Sequence, residues 1–266
     1  MHAISLVTLI TDFGIQDPYV GQMKGAILSR NPEVQIIDIC HHIPPHDTLA
    51  AALVLESSYG YFPAGTVHLT VVDPGVGGQR HILAAAGGGH LFIAPDNGVL
   101  SLLLQKGTIT EVRLVENRAL YPTDVSATFH GRDIMAPVAA ALAGNLALAE
   151  TGPPVPPERC TQIQIPQPII SDRTILGEVI HIDHFGNIKT NITTASLSRF
   201  PPERFRSIEI QGQRIDKIVT TYSDQPRDRL IALIDSGGYL EIALNRGSAA
   251  RLTGCRLHEP VKVLWR

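Results

Sequence analysis

The chain has 266 residues, 44% hydrophobic and 18% charged, with a net charge of −3, a composition that buries a sizeable core and excludes disorder. The slight acidity excludes the basic surface of an electrostatic nucleic-acid binder, and no apolar run reaches the ~18 residues that cross a bilayer, so a soluble cytoplasmic protein is expected. Cys40, Cys160 and Cys255 are odd in number, widely spaced and without a CxxC pair, which argues against a disulfide framework or zinc knuckle.

In chain order, ISLVTLIT reads as a strand and YVGQMKGAILSR as a helix with Val20, Met23 and Ile27 on one face. VQIIDI is a second strand, and DTLAAALVLESSYGYF a second helix with Asp47 placed to cap it. VHLTVV, HLFIA and EVRLVE are further strands, with a helical NGVLSLLLQK between the last two. GRDIMAPVAAALAGNLALA closes this half as an Ala- and Leu-rich helix bent near Pro137. Strands alternating with helices predict an α/β domain with a largely parallel sheet, over residues 1–155.

Residues 151–170 hold six prolines and no helical period. An extended Pro-rich linker is expected there, bounded at 156–172. Beyond it ILGEVIHID, FRSIEIQG, DKIVTTYS, LIALID, YLEIAL and VKVLWR are short strand-like runs, and DSGG between two of them reads as a hairpin turn. Residues 173–266 are therefore expected to form a small β-barrel or sandwich.

Three carboxylates occupy equivalent places: Asp12, Asp73 and Asp96 each follow a strand and precede a glycine by two positions. Aspartate before glycine is ordinary turn chemistry. Ligands of open α/β sheets, however, bind outside the carboxyl ends of the strands, and three acids there predict a shared site. His130 in TFHGRD stands just ahead of a helix N-terminus, beside Gly131, which allows close approach. Arg132 and Asp133 are expected to pair and cap. His41, His42 and His46 in CHHIPPHD raise a metal site as a hypothesis. The loop VVDPGVGGQR lacks the GK[ST] ending of a phosphate loop and the GxGxxG dinucleotide fingerprint. An aspartate at its mouth would also repel phosphate.

TDFGIQDPYVGQMKG, VVDPGVGGQR, APDNGVLS, TFHGRDIMAP, IDHFGNIKTNI and SGGYLEIALNRGSAA occur in that order. Together they resemble the S-adenosylmethionine hydroxide adenosyltransferases, hydrolase relatives of the fluorinating and chlorinating enzymes. The resemblance implies an N-terminal α/β domain, a C-terminal β-barrel, and a homotrimer whose active sites lie at subunit interfaces. It implies S-adenosylmethionine as substrate, with no cofactor and no metal. Asp73, Arg80 and His130 match the family's catalytic set, with Gly131 in the close-approach position. Asp12 matches the acid on the ribose hydroxyls, and Phe13 and Asp17 belong to the same substrate-binding block. Asp183, Phe185 and Asn187 match residues flanking the methionine amine and the adenine. Ser236 matches a residue near the methionine carboxylate, and Asn245 and Arg246 fall where backbone groups meet adenine.

On this reading VVDPGVGGQR sets a carboxylate and a guanidinium on either side of a water. Asp73 and the His130–Gly131 pair differ from the halogenating relatives, which carry a tyrosine and a tyrosine–serine pair there. An ionised carboxylate repels halide in a dry site, which favours the hydroxide branch. The competing readings are a chlorinating transferase, a non-catalytic S-adenosylmethionine or adenosine sensor, and a metal-dependent phosphohydrolase.

Overall fold

The β-branched run Leu6–Thr11 forms β1, buried at every position, as a strand covered on both faces must be. The computed structural model describes residues 5–224 and 226–266. These divide into two compact units, with the boundary between Gln164 and Ile165. No helix among the described residues is long and apolar enough to cross a membrane.

In the first unit β1 is followed by helix α1 (Tyr19–Arg30), β2 (Gln35–Cys40), α2 (Thr48–Ser58), β3 (Val67–Val71), β4 (Ile82–Gly87), β5 (His90–Pro95), α3 (Ser101–Gln105), β6 (Ile109–Leu114) and α4 (Ala136–Ala143). The sheet order is β2-β1-β3-β5-β4-β6. β4 pairs antiparallel with both neighbours while the other pairings are parallel, so the sheet is largely parallel with one reversed strand. β4 had no clear signal in the sequence. Its core, Leu83-Ala-Ala-Ala-Gly, is small-residue chain that lies flat between β5 and β6, and a Cβ at Gly87 would stand 2.0 Å from the Thr108 carbonyl oxygen.

Alternation of side chains along the strands sorts the core into two faces. Val7, Leu9, Leu69 and Val71 pack against Met23 and Ile27 of α1 and Val138 and Leu142 of α4. Ile10, Val72, Leu83 and Phe92 pack on the other face against Ala51 and Leu55 of α2 and Leu103 of α3. The expected α1 face is the buried one: Val20, Met23 and Ile27. Asp47 caps α2 as expected, its carboxylate accepting from the Ala50 amide at 2.8 Å. The long Ala-rich helix is shorter than its composition suggested. It opens with a π-turn over Gly131–Met135, and α4, with Pro137 in its first turn, is capped by Gly144.

The proline-rich stretch makes a 3₁₀ turn at Pro157–Arg159 and does not hang free. Thr161 N–H donates to Asp96 Oδ1 at 2.7 Å, Ile163 N–H donates to Ser101 Oγ, and Cys160 is buried. On the far side of the boundary Ile169–Ser171 forms β7 against β8 (Thr174–Ile182). The second unit continues with β9 (Ile188–Thr193), β10 (Phe205–Ile210), β11 (Gln213–Ile215), β12 (Leu230–Ile234), β13 (Tyr239–Leu244) and β14 (Pro260–Trp265). Their order is β11-β10-β14-β8-β9-β13-β12, all antiparallel. The end strands β11 and β12 touch, which nearly closes the sheet into a barrel around Ile175, Ile192, Ile208, Ile242 and Val263. The DSGG hairpin joins β12 to β13 as expected. DKIVTTYS is not a strand. Ile218 makes one isolated bridge to Ala232, and Tyr222–Asp224 is a 3₁₀ turn.

Candidate active site

β1 is the centre from which the chain winds both ways. Its connection through α1 leads to β2 on one side, and the next connection, through α2 on the opposite face, brings β3 to the other side. The carboxyl ends of β1 and β3 therefore flank the switch point, where open α/β sheets place their ligands. Thr11 and Val71 are register partners there, so Asp12 and Asp73 leave the sheet from adjacent positions.

Asp73 begins a tight turn closed by Val76 N–H to Asp73 O and Gly78 N–H to Gly75 O. Gly77 is at φ +76°, and a Cβ there would lie 2.2 Å from the Ala127 carbonyl, so this position admits only glycine. The turn folds Arg80 back onto Asp73. Arg80 Nε donates to both carboxylate oxygens, at 2.9 and 3.0 Å, and Nη2 donates to Oδ2. The expectation that these two side chains stand on either side of a water is therefore corrected: they are in direct contact. The loop is too short to hold them apart, and two largely buried opposite charges pair.

The same Nη2 donates to His130 Nδ1 at 3.0 Å. A guanidinium has donors only, so Nδ1 must present its lone pair, and a neutral ring then carries its proton on Nε2. Neutrality is favoured: burial first, then the Arg80 charge, push the His130 pKa below its ordinary value against the opposing pull of Asp73 and Asp133. His130 immediately precedes the π-turn. Gly131 lets that turn lie on β3, since a Cβ would come within 2.9 Å of Val71 Cγ1.

Asp12, Phe13, Val71, Asp73, His130 and Gly131 all line one cavity of about 420 Å³. Sequence reasoning missed part of its wall: Tyr19, Pro45, Val76, Thr128 and Phe129. Phe13, Tyr19 and Phe129 form a triangle of edge-to-face rings with centroids 5.6 to 5.8 Å apart. Phe129 adjoins His130, and that adjacency was the available signal. Asp12 Oδ2 accepts from the His46 backbone N–H at 2.9 Å. Arg80 stands behind Asp73 and His130 and is not part of the wall.

Three expectations fall elsewhere. Asp96 does not join Asp12 and Asp73, because its carboxylate holds the Thr161 amide instead. Asp17 is exposed and outside the cavity wall. The histidine cluster disperses: His41 is buried against Thr11 Oγ1 (2.9 Å) and Asp38 (3.1 Å), while His46 is exposed and lines the cavity beside Asp12. No group of three or more metal-ligating side chains occurs among the described residues. Arg132 and Asp133 pair as expected, and Asp133 also accepts from the Ser126 amide.

In the second unit Asp183 closes the β8–β9 turn, accepting from the Asn187 backbone N–H and Nδ2 at 2.8 and 2.9 Å. Phe185 projects from that turn, 73% exposed. Ser236 is exposed in the β12–β13 turn. Asn245 and Arg246 follow β13, with Arg246 in the left-handed region at φ +63°.

Fold and site together define an α/β protein with an added β-barrel, carrying a carboxylate–guanidinium–imidazole chain at the switch point of its sheet. Residues 7–152 match the SAM hydroxide adenosyltransferase N-terminal domain and residues 177–262 the C-terminal domain. The chain belongs to that family. It is 38% identical to an (R)-S-adenosyl-L-methionine hydrolase of Salinispora tropica, over 93% of each protein. More distantly it is 28% identical to a fluorinase of Nocardia brasiliensis, over 92% of each. A crystal structure of an uncharacterized conserved protein from Thermotoga maritima superposes with a TM-score of 0.89 at 32% identity, covering 97% of this chain and 99% of that one.

Proposed function

We propose that the protein hydrolyses S-adenosyl-L-methionine to adenosine and L-methionine. The observation that carries this reading is the Asp73–Arg80–His130 chain on the cavity that also holds Asp12, in a chain whose two family matches span both units. A water oxygen bonds to the ribose 5′ carbon, and the carbon–sulfur pair leaves on methionine as a neutral thioether. A sulfonium needs no acid to leave, so the site has to supply nucleophile, alignment and dryness.

The wall offers one acceptor and one donor for that water. Asp73 accepts its hydrogen and takes the proton, while His130 Nε2–H points a donor at the oxygen. Arg80 is the positioning group: it fixes the Asp73 carboxylate and the His130 tautomer at once. Asp12 holds the ribose diol with Phe13 beside it, and Gly131 makes room for the reacting carbon. In the second unit Asp183, Phe185, Asn187, Ser236, Asn245 and Arg246 take the adenine and methionine ends. Asp17 belongs to the same substrate block. The reading includes a cytoplasmic homotrimer in which the residues that bind one substrate come from neighbouring copies. Catalysis proceeds without cofactor or metal.

The test is incubation with S-adenosylmethionine in oxygen-18 water, with and without a chelator, with products read by mass spectrometry. Methionine and adenosine labelled at the 5′ oxygen, unaffected by the chelator, are expected. Intact substrate under every condition would leave a sensor and remove the proposal. Added chloride is expected to yield no chlorodeoxyadenosine, because a buried carboxylate lines the attack position.

A further inference from the structure

The proposed substrate ends in a zwitterion, and its carboxylate needs a cation. The β12–β13 turn that carries Ser236 is built on one. Asp235 Oδ1 accepts from the Gly237 and Tyr239 amides, each at 2.9 Å, which shapes the turn. Its Oδ2 accepts from Lys189 Nζ at 2.7 Å. Lys189 is on β9, register partner of Glu241 on β13, and its ammonium also stands 5.2 Å from the Tyr239 ring centroid.

A single ammonium serving these carboxylates could be a purely structural ion pair. Two observations point further. The first is Gly237. It lies outside the left-handed region, so the backbone does not demand glycine there. A Cβ at that position would stand 3.3 Å from Asp235 Oδ1, 3.4 Å from Tyr239 Cδ2 and 3.7 Å from Lys189 Nζ. Its absence leaves the ammonium reachable over the turn, and Lys189 is still 19% exposed. The second is the charge of the neighbourhood. Asp183, Asp235 and Lys189 all lie near enough to Glu241 to act on its charge, and Glu241 is buried, bonded by the Tyr222 hydroxyl at 2.8 Å. Such a surface suits a ligand carrying an ammonium and a sulfonium, and it leaves Lys189 as the group able to receive the ligand's negative end.

We infer that Lys189, reached through the gap at Gly237, binds the carboxylate of the amino-acid end of the substrate and makes the enzyme selective for it. The inference rests on the proposed hydrolysis. The discriminating compound is decarboxylated S-adenosylmethionine, which keeps amine and sulfonium and lacks only the carboxylate. The wild type is expected to favour S-adenosylmethionine by about tenfold or more in kcat/KM, the scale of one charge-assisted contact. Lys189→Met brings the ratio close to one by raising KM, with kcat and adenosine binding kept. Lys189→Arg preserves most of the preference. Gly237→Val, which closes the gap and sets a Cβ 3.3 Å from Asp235 Oδ1, lowers the ratio as well. An unchanged ratio in both Lys189→Met and Gly237→Val overturns the inference. A wild type that turns over neither compound removes instead the hydrolase reading beneath it.

Discussion

The roles assigned at the cavity turn on which nitrogen of His130 faces it. Because Arg80 can only donate, His130 presents a donor to the pocket, and an amide placed there would do part of the same work. His130→Asn is therefore expected to keep more activity than His130→Ala, which should lose at least about a hundredfold in kcat. Asp73→Asn, which removes the base that takes the proton, should be as damaging as Asp73→Ala. Steady-state rates with adenosine binding as the folding control check all four. The depressed pKa of His130 also sets the acid limb of kcat/KM below the ordinary histidine range, and a limb at or above it would contradict the neutral ring. Gly131 is the least forgiving position in the set. Gly131→Ala drives a Cβ into Val71, with an expected stability loss of about 1–3 kcal/mol by urea unfolding and a displaced His130.

At the scale of elements, the Asp96 result separates a structural acid from the site. Asp96→Ala should free the Thr161 amide and loosen the last residues of the first unit, up to Gln164. Proteolysis near residues 160–165 should increase while kcat stays near wild type. A matching loss of activity would return Asp96 to the site. Much of this architecture was legible. The α1 face and the Asp47 cap follow from spacing and from a side chain's reach. Two elements were not. β4 is written in alanine and glycine, which carry no strand preference, and exists because β5 and β6 flank it. DKIVTTYS has strand composition, but its backbone meets a partner strand at Ile218 and Val219 alone. Of the site, Asp12, Asp73 and His130 could be placed by motif, while Asp96 could not be excluded. Its position after a strand resembles theirs, and only the order of strands shows that the switch point lies between β1 and β3. The Arg80 contact was hidden because sequence does not show how tightly a turn folds back.

For the molecule as a whole, the buried polar chain Thr8–His68–His90 predicts an acid weakness. Thr8 Oγ1 meets His68 Nδ1 at 2.8 Å, and His68 Nε2 meets His90 Nδ1 at 3.2 Å. Burial, then the neighbouring His90, push the His68 pKa down to about 3. The unfolded chain takes up that proton near 6.5 and the folded chain does not. Stability is therefore held above pH 6.5 and lost as pH falls toward 3, by up to about 1.4 kcal/mol per pH unit for this one proton. Urea unfolding at pH 7 and pH 5 should show a steeper fall for the wild type than for His68→Phe.

The register of β1 against β3 has one more consequence. Asp12 leaves the sheet one residue and Asp73 two residues beyond the Thr11–Val71 pair, so the ladder itself fixes where the two acids are mounted. A fixture of that kind is indifferent to what is mounted on it. The posts stay put while the side chains on them change, so a substitution at Asp12 or Asp73 alters the chemistry offered there without moving its mount.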